Sequence, residues 1–128
     1  MTRAGRSVYL FGVYLVVTGG VLIGSPNTLF ALLRLPSTNE PWAHVLGVAV
    51  MAMGILHIAS ARAELVPFFR ASIWVRVFVL LSFVVMATLR VVPPIVIAFG
   101  LTDAAFAFWT HLALRGSSLS AGGRTTKA

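Results

Sequence analysis

Asp103 lies deep inside an apolar run, residues 91–114, about ten residues from either end. A carboxylate near the middle of a bilayer is costly, so its type and place mark it for a role. It can serve as a proton or cation site, or as an anchor for the polar group of a ligand. It can equally be a structural hydrogen bond or ion pair between two helices. Arg76, inside run 71–89, is the natural partner. A hairpin folded about Val91–Val92 sets Asp103 level with Leu80 and Arg76 about 6 Å away along the axis, within reach of a long side chain. Helical side chains lean toward their own N-termini, however, which points the two apart and lets Arg76 snorkel beside Trp74 and Arg70 instead. Both arrangements stay open.

Three histidines complete the set. His57 lies about one turn before Arg62, and His111 about one turn before Arg115, so two neutral imidazoles fall at one end of the chain's helices. Such a pair is the donor set of a haem or metal site. His44, at the opposite end near Glu40 and Trp42, has no partner histidine there. Interfacial imidazoles otherwise hydrogen-bond locally, and no cofactor is expected. Cysteine is absent, which excludes disulfides, thiolate metal sites and c-type haem attachment. No GxSxG, HExxH, Walker or GxGxxG pattern occurs, and the three acids are far apart in sequence, so no enzyme chemistry is expected.

The elements that must position these residues are four apolar runs: 8–24, 43–61, 71–89 and 91–114. Each approaches or reaches the ~20 residues that span a bilayer as a helix. The chain is 59% hydrophobic and 10% charged, with a mean hydropathy of +0.95. A soluble fold of 128 residues cannot bury so much apolar surface, whereas a lipid-facing bundle need not. The fold class is therefore all-α, an integral membrane four-helix bundle, in one domain over 1–115, with a polar, Gly/Ser-rich tail at 116–128 read as disordered. The first run has a basic start in Arg3 and Arg6, as a signal peptide does. It is long for such a segment, no A-x-A-like site follows, and Pro26 stands where cleavage would fall.

The net charge of +7 forms no continuous basic face, which argues against nucleic acid as a partner. Its distribution sets topology instead. Arg3, Arg6, Arg62, Arg70, Arg115, Arg124 and Lys127 fall on one side, Arg34 and Arg90 on the other. The positive-inside rule then puts both termini in the cytoplasm. Trp74 and Trp109 fall near the cytoplasmic interface and Trp42 near the opposite one. Of the connections, only the first is elaborate. Ser25-Pro26 reads as an N-cap with proline at the first helical position, followed by Leu29, Leu32, Leu33 and Leu35. This is either a short interfacial helix or an apolar loop folded over the bundle mouth.

Small residues recur where helices must approach. The first span carries Gly12 and Gly19, and Gly20-x-x-x-Gly24. The second carries Gly47, Gly54 and Ala61, again at seven-residue spacing, and the fourth carries Gly100-x-x-x-Ala104. In lipid, association rests on close van der Waals packing, which small residues permit. A seven-residue repeat keeps one stripe on its neighbour, within one chain or between two copies. Ser72, Ser82, Thr88, Thr102 and Thr110 are expected to hydrogen-bond within their own helices, and Phe99, Phe106 and Phe108 to pack.

The pattern resembles the small bacterial four-helix membrane proteins called DoxX-like. The matching pieces are Leu35-Pro36 leading into Trp42 and Gly47, Ala61-Arg62 closing the second span, Arg76, and Phe99-Gly100-x-x-Asp103. The resemblance covers most of the chain. It implies the four-helix architecture and, in some relatives, association with redox systems or membrane-protein assembly, but no site residues. The small multidrug exporters carry an essential acid in the first span, which this chain lacks. The expectation is a non-enzymatic accessory or assembly subunit of the bacterial inner membrane, its partners the lipid bilayer and another membrane protein or a second copy. Two rivals stand beside it. One is a proton-coupled transporter or binder of a small lipophilic or cationic molecule using Asp103. The other is a membrane redox protein, binding haem or quinone.

Overall fold

The computed structural model describes the backbone of residues 1–125 and the side chains of residues 1–116. Its elements are α1 (Arg3–Gly24), α2 (Pro26–Leu32), α3 (Trp42–Arg62), α4 (Val66–Thr88) and α5 (Val96–Thr125). There is no strand among the described residues. Four of the helices are long and apolar enough to cross a membrane. Their outer faces present large apolar side chains, among them Val45, Trp74, Phe78 and Phe108. Exposed apolar surface of that extent is what a membrane-spanning bundle would present to lipid.

Helix α1 packs along α3, and α4 along α5; α1 against α5 joins the two pairs, while α3 and α4 barely touch. The α1–α3 seam is built from the glycine stripes. A Cβ on Gly54 would lie 2.7 Å from the Gly12 carbonyl oxygen and from the Val16 nitrogen, and one on Gly47 would lie 2.8 Å from the Gly19 oxygen. Gly12 faces Gly54, and Gly19 faces Gly47, so the two seven-residue repeats interlock antiparallel within one chain. Backbone meets backbone there, and a backbone atom cannot give way as the end of a side chain can. At the other interface, Gly100 receives Leu80, whose Cα would lie 3.1 Å from an added Cβ. This register differs by three residues from the expected hairpin, because α5 begins at Val96 rather than immediately after Val91. Residue 103 thereby drops to the level of residues 76–77.

Three connections share one device. Helices α2, α3 and α4 end in Schellman-type turns, with paired bonds such as Leu35 N–H to Phe30 O, Leu65 N–H to Ser60 O, and Val91 N–H to Met86 O. The left-handed position in each is not glycine but Arg34, Glu64 or Arg90, at φ 56°, 52° and 60°. An apolar residue follows each, as the motif favours.

The first connection contains the seven-residue helix α2, with Pro26 in its first turn. Ser25 precedes it but makes no side-chain bond to the helix backbone; its hydroxyl meets Thr28 Oγ1 at 2.6 Å. Helix α4 starts earlier than the apolar run, at Val66, with Pro67 in its first turn, so the second connection shrinks to residues 63–65. Helix α5 continues past its apolar window to Thr125, giving a helical backbone over 116–125 where disorder was expected. Extending a helix that the span has already nucleated costs little per residue. Residues 126–128 of that tail lie outside the described residues.

Candidate functional site: a cavity with an unpartnered arginine

Because α3 and α4 stay apart while α1 and α5 bridge them, a cavity of about 300 Å³ is left in the middle of the bundle. Phe11 and Leu15 of α1 form its floor. Met53 of α3 and Val75 of α4 line it and are also 42% and 51% exposed, so the cavity opens sideways between those two helices. Its wall is apolar except for four groups: His57, Ser72, Arg76 and Asp103.

Arg76 is 2% exposed, the largest fully buried side chain among the described residues. Its guanidinium carbon sits 4.0 Å from the centre of the Phe11 ring, a cation–π contact. Nη1 donates to Thr110 Oγ1 at 3.4 Å, a long bond. Nε and Nη2 are buried and have no partner. Two orphaned donors on one buried cation are a costly arrangement, and buried polar groups in native proteins are ordinarily paired. Asp103 lines the same cavity, yet none of the side-chain hydrogen bonds among the described residues reaches its carboxylate. The lean of helical side chains explains the miss. The α4 and α5 axes run antiparallel, so Arg76 leans toward the end bearing the N-terminus, toward Thr110, and Asp103 leans away from it.

His57 is held on both sides. Its Nδ1 lies 2.7 Å from the Met53 carbonyl oxygen, which only accepts, so Nδ1 carries the proton. Nε2 is then the acceptor for the Ser72 hydroxyl at 3.0 Å. Phe11 and Phe68 meet the ring edge-on, each at 5.0 Å. Both nitrogens are engaged, and His111 is exposed on α5 outside the cavity, so the histidine pair is not brought together. Among the described residues no group of three or more His, Asp or Glu side chains is placed to hold a metal ion. His44 ties α3 to α1 instead, its Nδ1 donating to the Ile23 carbonyl at 2.6 Å.

Behind Arg76, Ser7 Oγ and Thr110 Oγ1 lie 2.6 Å apart, joining α1 to α5, and each also lies within reach of a carbonyl of its own helix, so two hydroxyl protons are shared among three contacts. Ser82, Thr88 and Thr102 bond only within their helices, as expected. Thr110 bonds within its helix and also reaches across to α1 and α4, whereas Ser72 differs from expectation, bonding His57 of α3 and, among the described residues, no group of its own helix. Phe11 and Ser7 were missed altogether. Their only signal was helical phase: Ser7 and Phe11 lie one turn apart on one face of α1. Phe106 packs as expected, 5.5 Å from Phe11.

At the N-terminal end, outside the spans, Glu64 accepts from the Thr2 backbone N–H at 2.8 Å and from its hydroxyl at 2.7 Å. Slight burial pushes the Glu64 carboxyl up, but these two bonds outweigh it and hold the group below its ordinary range. The clasp fastens α1 to the α3–α4 connection, at the closed end of the gap. Comparison with family models, with curated proteins and with solved structures gives no match.

Proposed function

We infer that this is a binding protein of the bacterial inner membrane, with both termini cytoplasmic. Its ligand is a lipophilic molecule that enters sideways from the bilayer core between α3 and α4. The observation that carries this reading is an almost wholly apolar cavity of about 300 Å³ between α3 and α4, lined in part by the buried side chain of Arg76, whose Nε and Nη2 have no partner. A site of this volume, apolar with a few convergent polar groups, is what small-molecule recognition requires. The topology rests on the distribution of basic residues. The architecture also accords with the resemblance to DoxX-like proteins.

Two features select among the rival readings. The glycine stripes that suggested docking to a partner are occupied by one another within the chain, which weakens the accessory-subunit reading. A cationic ligand would meet the guanidinium, so a ligand offering hydrogen-bond acceptors is favoured over a cation.

Photolabelling tests the proposal. Hexadecanol and hexadecanoic acid, each with a diazirine in the chain, are irradiated with the protein in lipid nanodiscs, and labelled residues are mapped by mass spectrometry. Labelling is expected to concentrate at Met53, Val75 and Val79, and to fall when Val75→Trp fills the mouth. Labelling spread evenly over the outer faces of α3 and α4, and unchanged by Val75→Trp, would sink the idea.

A further inference from the structure

A second concave site lies at the end of the bundle that bears the N-terminus, apart from the central cavity. Its volume is about 230 Å³, and Arg3 of α1 closes it against Trp109, Leu112 and Ala113 of α5. Arg3 is exposed, and Glu64, the one acid at this end of the described residues, is taken up by Thr2 rather than by a guanidinium. Arg6, also exposed, follows three residues later, about 60° round the helix. Depth decides what meets this charge. Helix α1 has 22 residues and is about 33 Å long at 1.5 Å per residue, close to the ~30 Å of a hydrocarbon core. Its first residue, Arg3, is therefore level with the phosphates of one leaflet. We propose that this pocket binds an anionic phospholipid, with the phosphate on Arg3 and the glycerol against Trp109 and Leu112. The proposal does not depend on what occupies the central cavity.

Shape, size and surroundings separate this site from an arginine that merely reaches for water. A basic pocket between spans, at head-group level, is a form in which anionic lipids are recognised. The volume takes on the order of eight non-hydrogen atoms at roughly 30 Å³ each, the size of a phosphate with the three carbons of glycerol. Trp109, 38% exposed, has an apolar body and a polar N–H, which suits the ester region just below the phosphate. The surface beneath continues as a track for an acyl chain. Leu10 and Val17 follow Arg3 at seven-residue intervals, drifting only about 20° each time, and are 47% and 61% exposed. Charge then selects among lipids. A choline or ethanolamine head group would bring its own cation beside Arg3 and Arg6 and be repelled, whereas phosphatidylglycerol brings only the anion.

Quenching of indole fluorescence by brominated acyl chains tests this, because it reports which lipid lies beside a tryptophan. One variant keeps Trp109 alone (Trp42→Phe with Trp74→Phe), and a second keeps Trp74 alone (Trp42→Phe with Trp109→Phe). Trp74 stands 74% exposed one turn from Arg70, so it controls for an arginine beside a protruding indole. Each is placed in phosphatidylcholine bilayers holding brominated phosphatidylglycerol or brominated phosphatidylcholine at equal mole fraction. At Trp109, phosphatidylglycerol is expected to be preferred at least about fivefold, the worth of one arginine near an anionic lipid. Most of that preference should persist in about 1 M salt, where the screening length is about 3 Å, because phosphate and guanidinium are in contact. At Trp74 any preference should vanish in that salt. Arg3→Gln in the Trp109 variant should bring the ratio close to one, and as an exposed residue Arg3 can be changed without unfolding the chain. Equal quenching by the two lipids at Trp109, a preference that salt removes there as at Trp74, or one that survives Arg3→Gln overturns the site. Displacement of the lipid by millimolar glycerol 3-phosphate also overturns it, since the pocket would then serve a soluble phosphate.

Discussion

Helix α3 has two neighbours in the bundle plane and treats them in opposite ways. Along α1 it lies backbone on backbone, with Gly12, Gly19, Gly47 and Gly54 leaving no room even for a methyl group. Toward α4 it stands off, and the space between is an apolar cavity lined in part by buried Arg76, two of whose three guanidinium nitrogens have no partner. The first interface maximises dispersion contact between surfaces that lipid would solvate almost as well. The second forgoes that contact and keeps a charge that costs stability. A protein that needed only to be stable would close the gap with apolar side chains.

Breaking the seam should have the largest effect. Gly54→Leu pushes a side chain into the Gly12 carbonyl and the Val16 nitrogen, atoms that no rotamer change can move. The expected loss is at or above the top of the ~1–3 kcal/mol overpacking range, read as unfolding in detergent or failure to accumulate. Gly20→Ala is the matched control one residue off the stripe. Its added Cβ would meet only the end of Met51 at 3.4 Å, and stability should stay within about 0.5 kcal/mol. Equal losses at both positions would mean that the seam is not where the helices meet.

The turns that close the two α4 connections sharpen the comparison next. Arg90 pays the left-handed penalty at φ 60° with no compensating clasp, and Arg90→Gly should raise stability by about 1 kcal/mol. Glu64→Gly relieves the same strain but forfeits both bonds to Thr2, so its gain should be clearly smaller. Equal gains would show that the clasp at the closed end of the gap contributes nothing.

Within the gap, a double-mutant cycle of Asp103→Asn and Arg76→Gln is expected to give a coupling below about 1 kcal/mol in the ligand-free protein. A directly bonded buried pair would respond far more, since breaking one costs about 3–5 kcal/mol. A coupling of that size would mean that the acid neutralises the arginine directly.

The smallest effect belongs to Glu64 itself. Its carboxyl is held below its ordinary value in the folded protein, so its contribution is fully present at neutral pH. It is lost as pH falls through and below the ordinary glutamate range. Glu64→Gln should remove that acid-side dependence and cost less than about 1 kcal/mol at pH 7, because the site is exposed and screened. Unfolding midpoints at several pH values check both statements. An unchanged acid limb in the variant would assign the dependence to another group.

Part of this architecture is written in the residues. Four apolar runs make four long helices, each satisfying its backbone hydrogen bonds within the segment, as a bilayer span requires. The seven-residue glycine repeats on the first two spans announced a close seam, because a stripe of that period stays on one neighbour. Pro26 marks a helix start for a local reason, its fixed φ and missing N–H. The three left-handed turns were invisible, since Arg34, Glu64 and Arg90 carry none of the glycine signal and are tolerated only in the folded context.

Everything that distinguishes the site depended on register and direction in space. That the seam closes within one chain, that Gly100 rather than Asp103 meets Leu80, and that Ser7 bonds Thr110 103 residues away are all products of packing. So is the fact that Arg76 and Asp103 share a cavity without sharing a hydrogen bond. Residue type and period decide whether a segment is a helix and which stripe it buries. A shift of three residues between two helices, or the lean of one side chain, leaves no periodic trace, and only the assembled bundle sets whether a buried arginine finds a partner.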